Sequence, residues 1–522
     1  ILITGYVFSP DFPTQNGGGY FQGVKNTSND VFIQKFNNSG VLLWSTYYGG
    51  NAADQGNAVV TDGTGNIFVT GYTNSSNFPT QNSGTLFQGT SIGSDDIFIV
   101  KFNNAGTRLW ATYYGGTLSD VARCITTDSN DNIFISGYTN STDLPLQNAG
   151  TFFQGAKNAA SEIFILKFDN LGNRLWATYY GGNAADAASA IAIDNNDNIF
   201  ITGPTASNNF PLQNTGTFYQ GTLSGSEDAY ILKFDNSGVL LWASYYGGTG
   251  DDYGTAITTD PSGNIFVAGS TTSSNFPLQN AGTFFQGTLN GTLEDAFILK
   301  FDNIGARQWA TYYGGSGREK FNTYDNIETD NCGNIYVGFG TYSTDLPLMQ
   351  ACDAGYYVNQ ASTVGSTISI ISFNNFGTRL WASYLSGNGD NFNEALTIDS
   401  DANLFATGEW TFLTNSASYP VVNPGGGAFY DQNFNGSDDG YIVKFSPASV
   451  SVTSSVNHPN CSNPCGGSAT ATSLGTCIYS YLWSNGQTTQ MATGLCAGNF
   501  TVSITNQSVS YTHLTLPTNR EV

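Results

Sequence analysis

The chain is poor in charge: Asp, Glu, Lys and Arg make up only 11% of its 522 residues, so solvated helices with charged outer faces have little to draw on. Basic residues are the scarcer sign. Sixteen Lys and Arg against 39 Asp and Glu leave a formal charge of -23, a surface that repels phosphate backbones and anionic lipid and excludes nucleic acid as a natural partner. Histidine is nearly absent. His458 and His513 both follow residue 447, so no Ser-His-Asp, Cys-His or His-metal arrangement can be assembled before it. No run of 18 or more apolar residues occurs, so no transmembrane helix is predicted. Residues Ile1 to Gly5 read as an interior strand and not as a signal peptide, from which a truncated N-terminus is expected.

What the chain has in abundance is Gly, at 62 residues, and aromatic side chains, at 14%, a composition suited to many short strands joined by tight turns. Six tryptophans, Trp44, Trp110, Trp176, Trp242, Trp309 and Trp381, share one local context and are separated by 66, 66, 66, 67 and 72 residues. One unit runs from Ala58 to Gly116: AVVTD, NIFVTG, a long loop holding FPTQN and FQG, DIFIVKF, and TRLWATYYGG. Each unit thus offers four β segments bounded by turn residues. In DIFIVKF both alternating sets, Ile97 and Ile99 as well as Phe98, Val100 and Phe102, are apolar, as expected of a sheet covered on both faces.

A four-stranded unit repeated around an axis predicts an all-β, monomeric β-propeller; a β-solenoid is the alternative, although its coils need far fewer residues. The NIFVTG-like strand occurs seven times, at Ile1 to Gly5 and from Asn66, Asn132, Asn198, Asn264, Asn334 and Asn403. The strand ending in Phe also occurs seven times, at Phe36, Phe102, Phe168, Phe234, Phe301, Phe373 and Phe445. The Trp strand and the AVVTD strand occur six times each, so seven blades are expected over residues 1–447. The first lacks its inner strand and the last its regular outer one, and completion would come from residues ahead of Ile1 or from Ala448 to Val456.

The motifs D-x-x-GN-I-F-V-x-G, NFP-x-QN and YYGG followed by Asp resemble the SBBP-type β-propeller repeats of bacterial surface and secreted proteins. The sixth unit departs most, with Ile371-Ser372-Phe373 for Leu-Lys-Phe and Tyr384-Leu385-Ser386-Gly387 for Tyr-Tyr-Gly-Gly.

After Pro447 the texture changes to Ser, Thr and Asn with four clustered cysteines, Cys461, Cys465, Cys477 and Cys496. Their even number in a small module predicts two disulfides and an oxidising compartment, with the pairing open among three connectivities. Zinc is the competing reading, but the C-x2-C spacing is absent. Alternating stretches and a Ser484-Asn485-Gly486 turn suit a small Ig-like β-sandwich over 448–507. YLWSNGQTT followed by TGLCAGNFTVSIT resembles the SprB-type repeat of Bacteroidota surface adhesins and gliding-motility proteins, which implies a secreted or cell-surface location and type IX export. Residues 508–522, ending SYTHLTLPTNREV, fit neither pattern, resemble translated adapter sequence, and are expected to be a non-native tail outside the fold.

Carboxylates are the only abundant catalytic candidates. In propeller topology one face collects Asp54, Asp120, Asp186, Asp252 and Asp390 after the Gly-Gly turns with Asp30, Asp96, Glu162, Asp228, Asp295 and Asp439 before the third strands. Two such groups 5 to 10 Å apart would suit a glycosidase (order of magnitude, about that separation); a residue present in nearly every blade is better explained as a turn cap. A third possibility is that Asp54, Asp120, Asp186, Asp252 and Asp390 line a weak calcium rim, the only cofactor considered. The turns Asp128 to Asn132 and Asp194 to Asn198 open like a calcium loop but lack its sixth-position Gly and twelfth-position Glu. FDNSGVLLW at Phe234 to Trp242 resembles the sialidase Asp-box with different spacing. Cys124 reads as buried and apolar, Cys332 and Cys352 as a conceivable pair, and Lys35, Lys101, Lys167, Lys233, Lys300 and Lys444 as stems laid along the blades. The function expected is non-enzymatic: a propeller presenting its FP-x-QN loops for adhesion or for protein or glycan binding. A carbohydrate-active enzyme using rim carboxylates is the alternative.

Overall fold

The computed structural model describes residues 1–522 except 27, 83–87, 150, 151, 215–217, 281–283, 292, 322–325, 351–355, 363, 364, 386–389, 412–426, 430–437, 447–450, 458–464, 475–478, 497, 507–509 and 519–522. Among the described residues there is no helix, and seven antiparallel sheets form the blades of a propeller. Blade 2 shows the plan: an inner strand Asp54–Thr61, a second Ile67–Thr73, a third Asp96–Phe102 and an outer Arg108–Tyr114, paired in chain order. Blades 3, 4 and 5 repeat it, and in blade 6 the inner strand is split into Glu319–Lys320 and Ile327–Thr329. Blade 1 consists of Leu2–Val7, Asp30–Phe36 and Leu42–Tyr48; blade 7 of Asp390–Ile398, Leu404–Thr411 and Asp438–Phe445. Among the described residues the first blade has no inner strand and the last no outer strand, as the repeat count predicts.

The blades form a closed ring and not a solenoid. Lys444 of blade 7 donates to the Asn38 carbonyl of blade 1 at 3.2 Å, and the Phe429 amide donates to Gly40 O at 2.9 Å. Each blade is sealed to the next by aromatic side chains. The outer-strand Trp of one blade packs on the third-strand Phe of the following one, as in Trp176 with Phe234, Trp242 with Phe301 and Trp381 with Phe445. Both faces of each sheet are thereby buried, which is why Ile97 to Val100 show no exposure on either alternation. Burial of one such large side chain is worth about 1.5–3 kcal/mol.

The recurring glycines answer local geometry. A bulge between Gly56 and Ala58 pushes the Gln55 carbonyl oxygen against Gly71, so a Cβ there would collide with backbone. The turn after the inner strand needs a left-handed residue, supplied by Gly65 at φ 80° and by Asp131 at φ 63° and Asp197 at φ 59°, and these are plain hairpin turns.

The FP-x-QN stretches run along the outer strands. Gln81 bridges Ala111, and Gln88 bridges Tyr113, so the loop lies along the free edge of the outer strand; Phe78 is buried and Pro79 accepts the Tyr48 hydroxyl. The same bridges recur at Gln15, Gln147, Gln213 and Gln279. Covering an otherwise open sheet edge is the physical reason.

Past the propeller, Ser451–Asn457, Gly467–Leu474 and Met491–Leu495 form one three-stranded sheet, and Tyr479–Trp483, Gly498–Asn506 and Ser510–Thr518 another. The arrangement is consistent with a small β module around Ala469, Ala471, Trp483, Ala492, Leu495 and Val502. Gly486, at φ 83°, closes the expected turn. Ser451–Asn457 pairs with Gly467–Leu474 in this module, so it is not the outer strand of blade 7. Ser510–Thr518 pairs with Gly498–Asn506. Cys465 and Cys496 form a disulfide, whereas Cys461 and Cys477 lie outside the described residues. Cys124 is a buried thiol that donates to Ser136 O at 3.5 Å and takes no part in a disulfide; Cys332 is an exposed thiol, and Cys352 lies outside the described residues.

Candidate functional site

Each blade junction repeats one acidic arrangement, built from four sequence-distant pieces. Asp54 opens the inner strand of blade 2 and Asp30 the third strand of blade 1, and the Tyr-Tyr-Gly-Gly turn brings Gly49 between them. A Cβ on Gly49 would stand 2.7 Å from Asp54 Oδ2 and 2.8 Å from Asp30 Cγ, so only glycine leaves room for both carboxylates. The Gly50 amide and Ser75 hydroxyl donate to Asp54 Oδ2 at 2.7 and 2.9 Å, and the Thr73 hydroxyl donates to Oδ1. Gln22 of the FQG motif donates from Nε2 to Asp30 Oδ2 at 2.7 Å and accepts the Gly49 amide at Oε1, clamping carboxylate to turn.

The pair recurs as Asp120 with Asp96, Asp186 with Glu162, and Asp252 with Asp228, each closing on the first Gly of the turn. In blade 5, Asp295 meets Glu319 at Gly314. Sequence reading missed Glu319, although it stands in the Asp position after Tyr-Tyr-Gly-Gly, and missed the clamp. The signal for the clamp was the spacing from Gln22 to Asp30, Gln154 to Glu162 and Gln220 to Asp228, eight residues in each case.

Burial pushes the Asp54 and Asp252 carboxyls up to about 6, with Asp30 and Asp228 adding to the rise, and pushes Glu162 up to about 7. Burial likewise raises Asp295 and Glu319; the neighbouring Glu319 further opposes ionisation of Asp295, whereas the hydrogen bond with Asp295 favours ionised Glu319. Asp30 Oδ1 and Asp295 Oδ1 are buried without a donor among the described residues.

Asp54, Asp120, Asp186 and Asp252 are therefore not an open rim: none is more than 1% exposed. Burial follows from the Gly-Gly turn folding over them. Asp390 is half-buried and accepts the Ser366 amide at 2.7 Å; its partner position holds Thr367. Asp439 lies in Asp438–Phe445 of blade 7. Among the described residues no group of three or more His, Cys, Asp or Glu is placed to hold a metal ion.

The opposite face carries the second acidic set. Asp62 accepts the Asn66 side chain at 2.7 Å, the Asn66 amide at 2.8 Å, the Thr64 hydroxyl at 2.8 Å and the Asn170 side chain from the next blade at 2.9 Å. Lys101 stands 3.8 Å away and donates to Asn170 O at 3.0 Å. Burial works against ionised Asp62, but these donors outweigh it and hold the carboxyl well below its ordinary value. Asp128, Lys167 and Asn236 repeat the arrangement.

A β-propeller repeat family, SBBP, matches residues 43–79, 109–145, 175–211 and 241–277. Four stretches of the chain thus match the SBBP repeat. Each match starts in an outer strand and ends in the FP loop of the next blade. The chain is 30% identical over 234 residues to an uncharacterised WD repeat-containing protein of Acanthamoeba polyphaga mimivirus, covering 40% of this chain and 17% of the relative. It is 27% identical over 125 residues to the regulatory protein FlaEY of Caulobacter vibrioides, covering 24% and 12%. The chain thus spans less than a fifth of either relative. Among solved structures, a protein of unknown function from Dyadobacter fermentans aligns at TM-score 0.33 and 12% identity, over 68% of this chain and 89% of that one. A gluconolactonase from Xanthomonas campestris aligns at TM-score 0.28 and 12% identity, over 59% and 75%.

Proposed function

We infer that this propeller is a non-enzymatic binding scaffold of a secreted or cell-surface protein, and that its contact surface is the outer circumference, where the FQG part of the long loops stands outward. One observation carries the reading. The paired carboxylates that could do chemistry are sealed under the Gly-Gly turns, whereas the aromatic residue of the FQG motif stands outward at 37–39% exposure in Phe21, Phe153, Tyr219 and Phe285. Aromatic side chains repeated once per blade on a rigid frame offer large apolar area with little conformational entropy to lose, for either glycan or protein. A carbohydrate-active enzyme would instead need two carboxylates open to substrate. The disulfide between Cys465 and Cys496 suits an oxidising compartment.

The test is an array of glycans and extracellular matrix polymers run beside a panel of chromogenic glycosides. Retention on the array without turnover is expected, and Phe153→Ala, Tyr219→Ala and Phe285→Ala combined should weaken it about tenfold or more. Retention unaffected by the triple variant, or turnover abolished by replacing a single carboxylate, would overturn the reading.

A further inference from the structure

On the reading that the outer circumference is the contact surface, we propose that the outward aromatic side chains of the FQG motif are stacking platforms for a neutral polysaccharide, bound at several blades of one propeller at once. Each platform is half of an aromatic pair whose members have different duties. In Phe152-Phe153, Phe218-Tyr219 and Phe284-Phe285 the first ring turns inward onto the third-strand Phe of the next blade, Phe234, Phe301 and Phe373 in turn. The second ring points away from that seal, and Phe153, Tyr219 and Phe285 are 37–39% exposed.

A glycine sets the posture of each outward ring. A Cβ on Gly155, Gly221 or Gly287 would stand 2.8 Å from Cε1 of Phe153, Tyr219 or Phe285, and one on Gly23 2.7 Å from Cε1 of Phe21. The aromatic-x-Gly spacing thus lets a ring edge rest on bare backbone in four blades, and the orientation of the ring repeats with it. The residue between is tied down, since Gln154, Gln220 and Gln286 bridge Tyr179, Tyr245 and Tyr312 of the outer strands. Gln147, Gln213 and Gln279 bridge the same strands two positions earlier, about 7 Å away. Each of these is followed by an exposed amide, Asn148, Asn214 or Asn280. A fixed ring and a carboxamide therefore share one short stretch of the rim, blade after blade.

That pairing fits a pyranose ring. Its axial C–H groups carry partial positive charge and are drawn to the electron-rich face of an aromatic ring, while its hydroxyls exchange hydrogen bonds with carboxamides. Charge selects among polysaccharides: 39 acidic against 16 basic residues repel a polyanion. Arrangement selects a polymer over a protein. The rings recur singly, once per blade, whereas a stable protein interface needs a contiguous patch of about 800 Å² on each partner. A polymer of like units can occupy like sites in succession, so that modest affinities at single blades combine.

The test is affinity electrophoresis of the full chain through gels holding hydroxyethyl cellulose, galactomannan or dextran, beside gels holding alginate or heparin. Retardation by at least one neutral polymer and by neither polyanion is expected, and short oligosaccharides cut from that polymer should bind about tenfold or more weakly. Phe153→Leu, Tyr219→Leu and Phe285→Leu combined keeps apolar bulk but removes the ring faces, and should weaken retention about tenfold, whereas Tyr219→Phe alone should leave it within about twofold. In the unaltered chain, bound polymer should slow amide exchange at the FQG segments of several blades, a readout that does not depend on how the variants fold. Absence of retardation by every neutral polymer, equal retardation by the polyanions, protection elsewhere, or undiminished retention of the leucine variant would overturn the proposal. Retention on matrix proteins that the leucine variant loses, with no polysaccharide bound, would overturn it while leaving the circumference as the contact surface; polysaccharide binding that ignores the rings would overturn both.

Discussion

Asp54 and Asp62 stand at the two ends of one strand in blade 2, eight residues apart, and experience opposite electrostatics. Asp54 is packed against Asp30 beneath a glycine turn, and burial raises its pKa. Asp62 gathers amide and hydroxyl donors from its own turn and from blade 3, with Lys101 nearby, and its pKa is lowered. The ring repeats this contrast, so one face stores like-charge repulsion and the other is held by charge-assisted hydrogen bonds. A net charge of -23 says nothing about which face is which.

Removing a donor-rich aspartate is the harshest way to test the contrast. Asp128→Ala should cost about 3 kcal/mol, because it leaves the Asn132 and Asn236 side chains without their acceptor and the partly buried Lys167 without its counter-charge. Chemical denaturation at pH 7 would measure it. A loss below about 1 kcal/mol would mean that the turn's backbone alone holds that face together.

The next effect is the pH dependence. Asp54, Asp252, Glu162 and the Asp295–Glu319 pair have folded-state pKa values raised above those of the unfolded chain. Between about pH 4 and pH 7 the folded state then binds more protons, so this contribution to stability is complete at the acid end and declines as pH rises. Asp62 and Asp128, with lowered values, contribute stability above the unfolded pKa that is lost as pH falls through the folded one. Stability should therefore peak near pH 4 to 5 (about one unit below the usual range) and fall toward pH 8, a difference on the order of 2 kcal/mol. Asp295→Asn should flatten the neutral limb, since the amide supplies without titration the donor that a shared proton would give to this pair. A flat profile from pH 5 to 8, or an unchanged slope in the variant, would show that the paired carboxylates do not govern it.

The blade plan was legible because its causes are periodic. Trp, Phe and the Gly-Gly turn recur at one spacing, and the two-sided burial of DIFIVKF follows from both its alternations being apolar. The absent strands of blades 1 and 7 could be counted for the same reason. The candidate site was only half legible. Which carboxylates converge follows from strand ends, but their burial depends on the glycine turn folding back and on Gln22, Thr73 and Ser75 reaching in from separate strands and loops. The course of the FP-x-QN loop was not legible, because its bridges to the outer strand involve isolated glutamines without strand periodicity.

The smallest effect concerns the lysine latches. Lys101→Met keeps an unbranched apolar side chain but removes the ammonium, which stands 5.0 Å from the centre of the Phe68 ring and donates to Asn170 of blade 3. The cost should be about 1 kcal/mol, since Trp110 Nε1 still donates to the Asn170 carbonyl at 3.4 Å while Asp62 loses only its most distant partner. Nature has performed the deletion once in this chain: Ser372 occupies the lysine position of blade 6, facing the blade for which no outer strand is described, and the ring remains closed. Lys444 makes the equivalent contact across the closing junction but is exposed, so Lys444→Met should cost no more than about 0.5 kcal/mol. Parallel denaturation of the two variants separates two origins of latch strength. If Lys444→Met proves the more damaging, the latch draws its value from closing the ring; if Lys101→Met does, the value comes from burial beside Asp62.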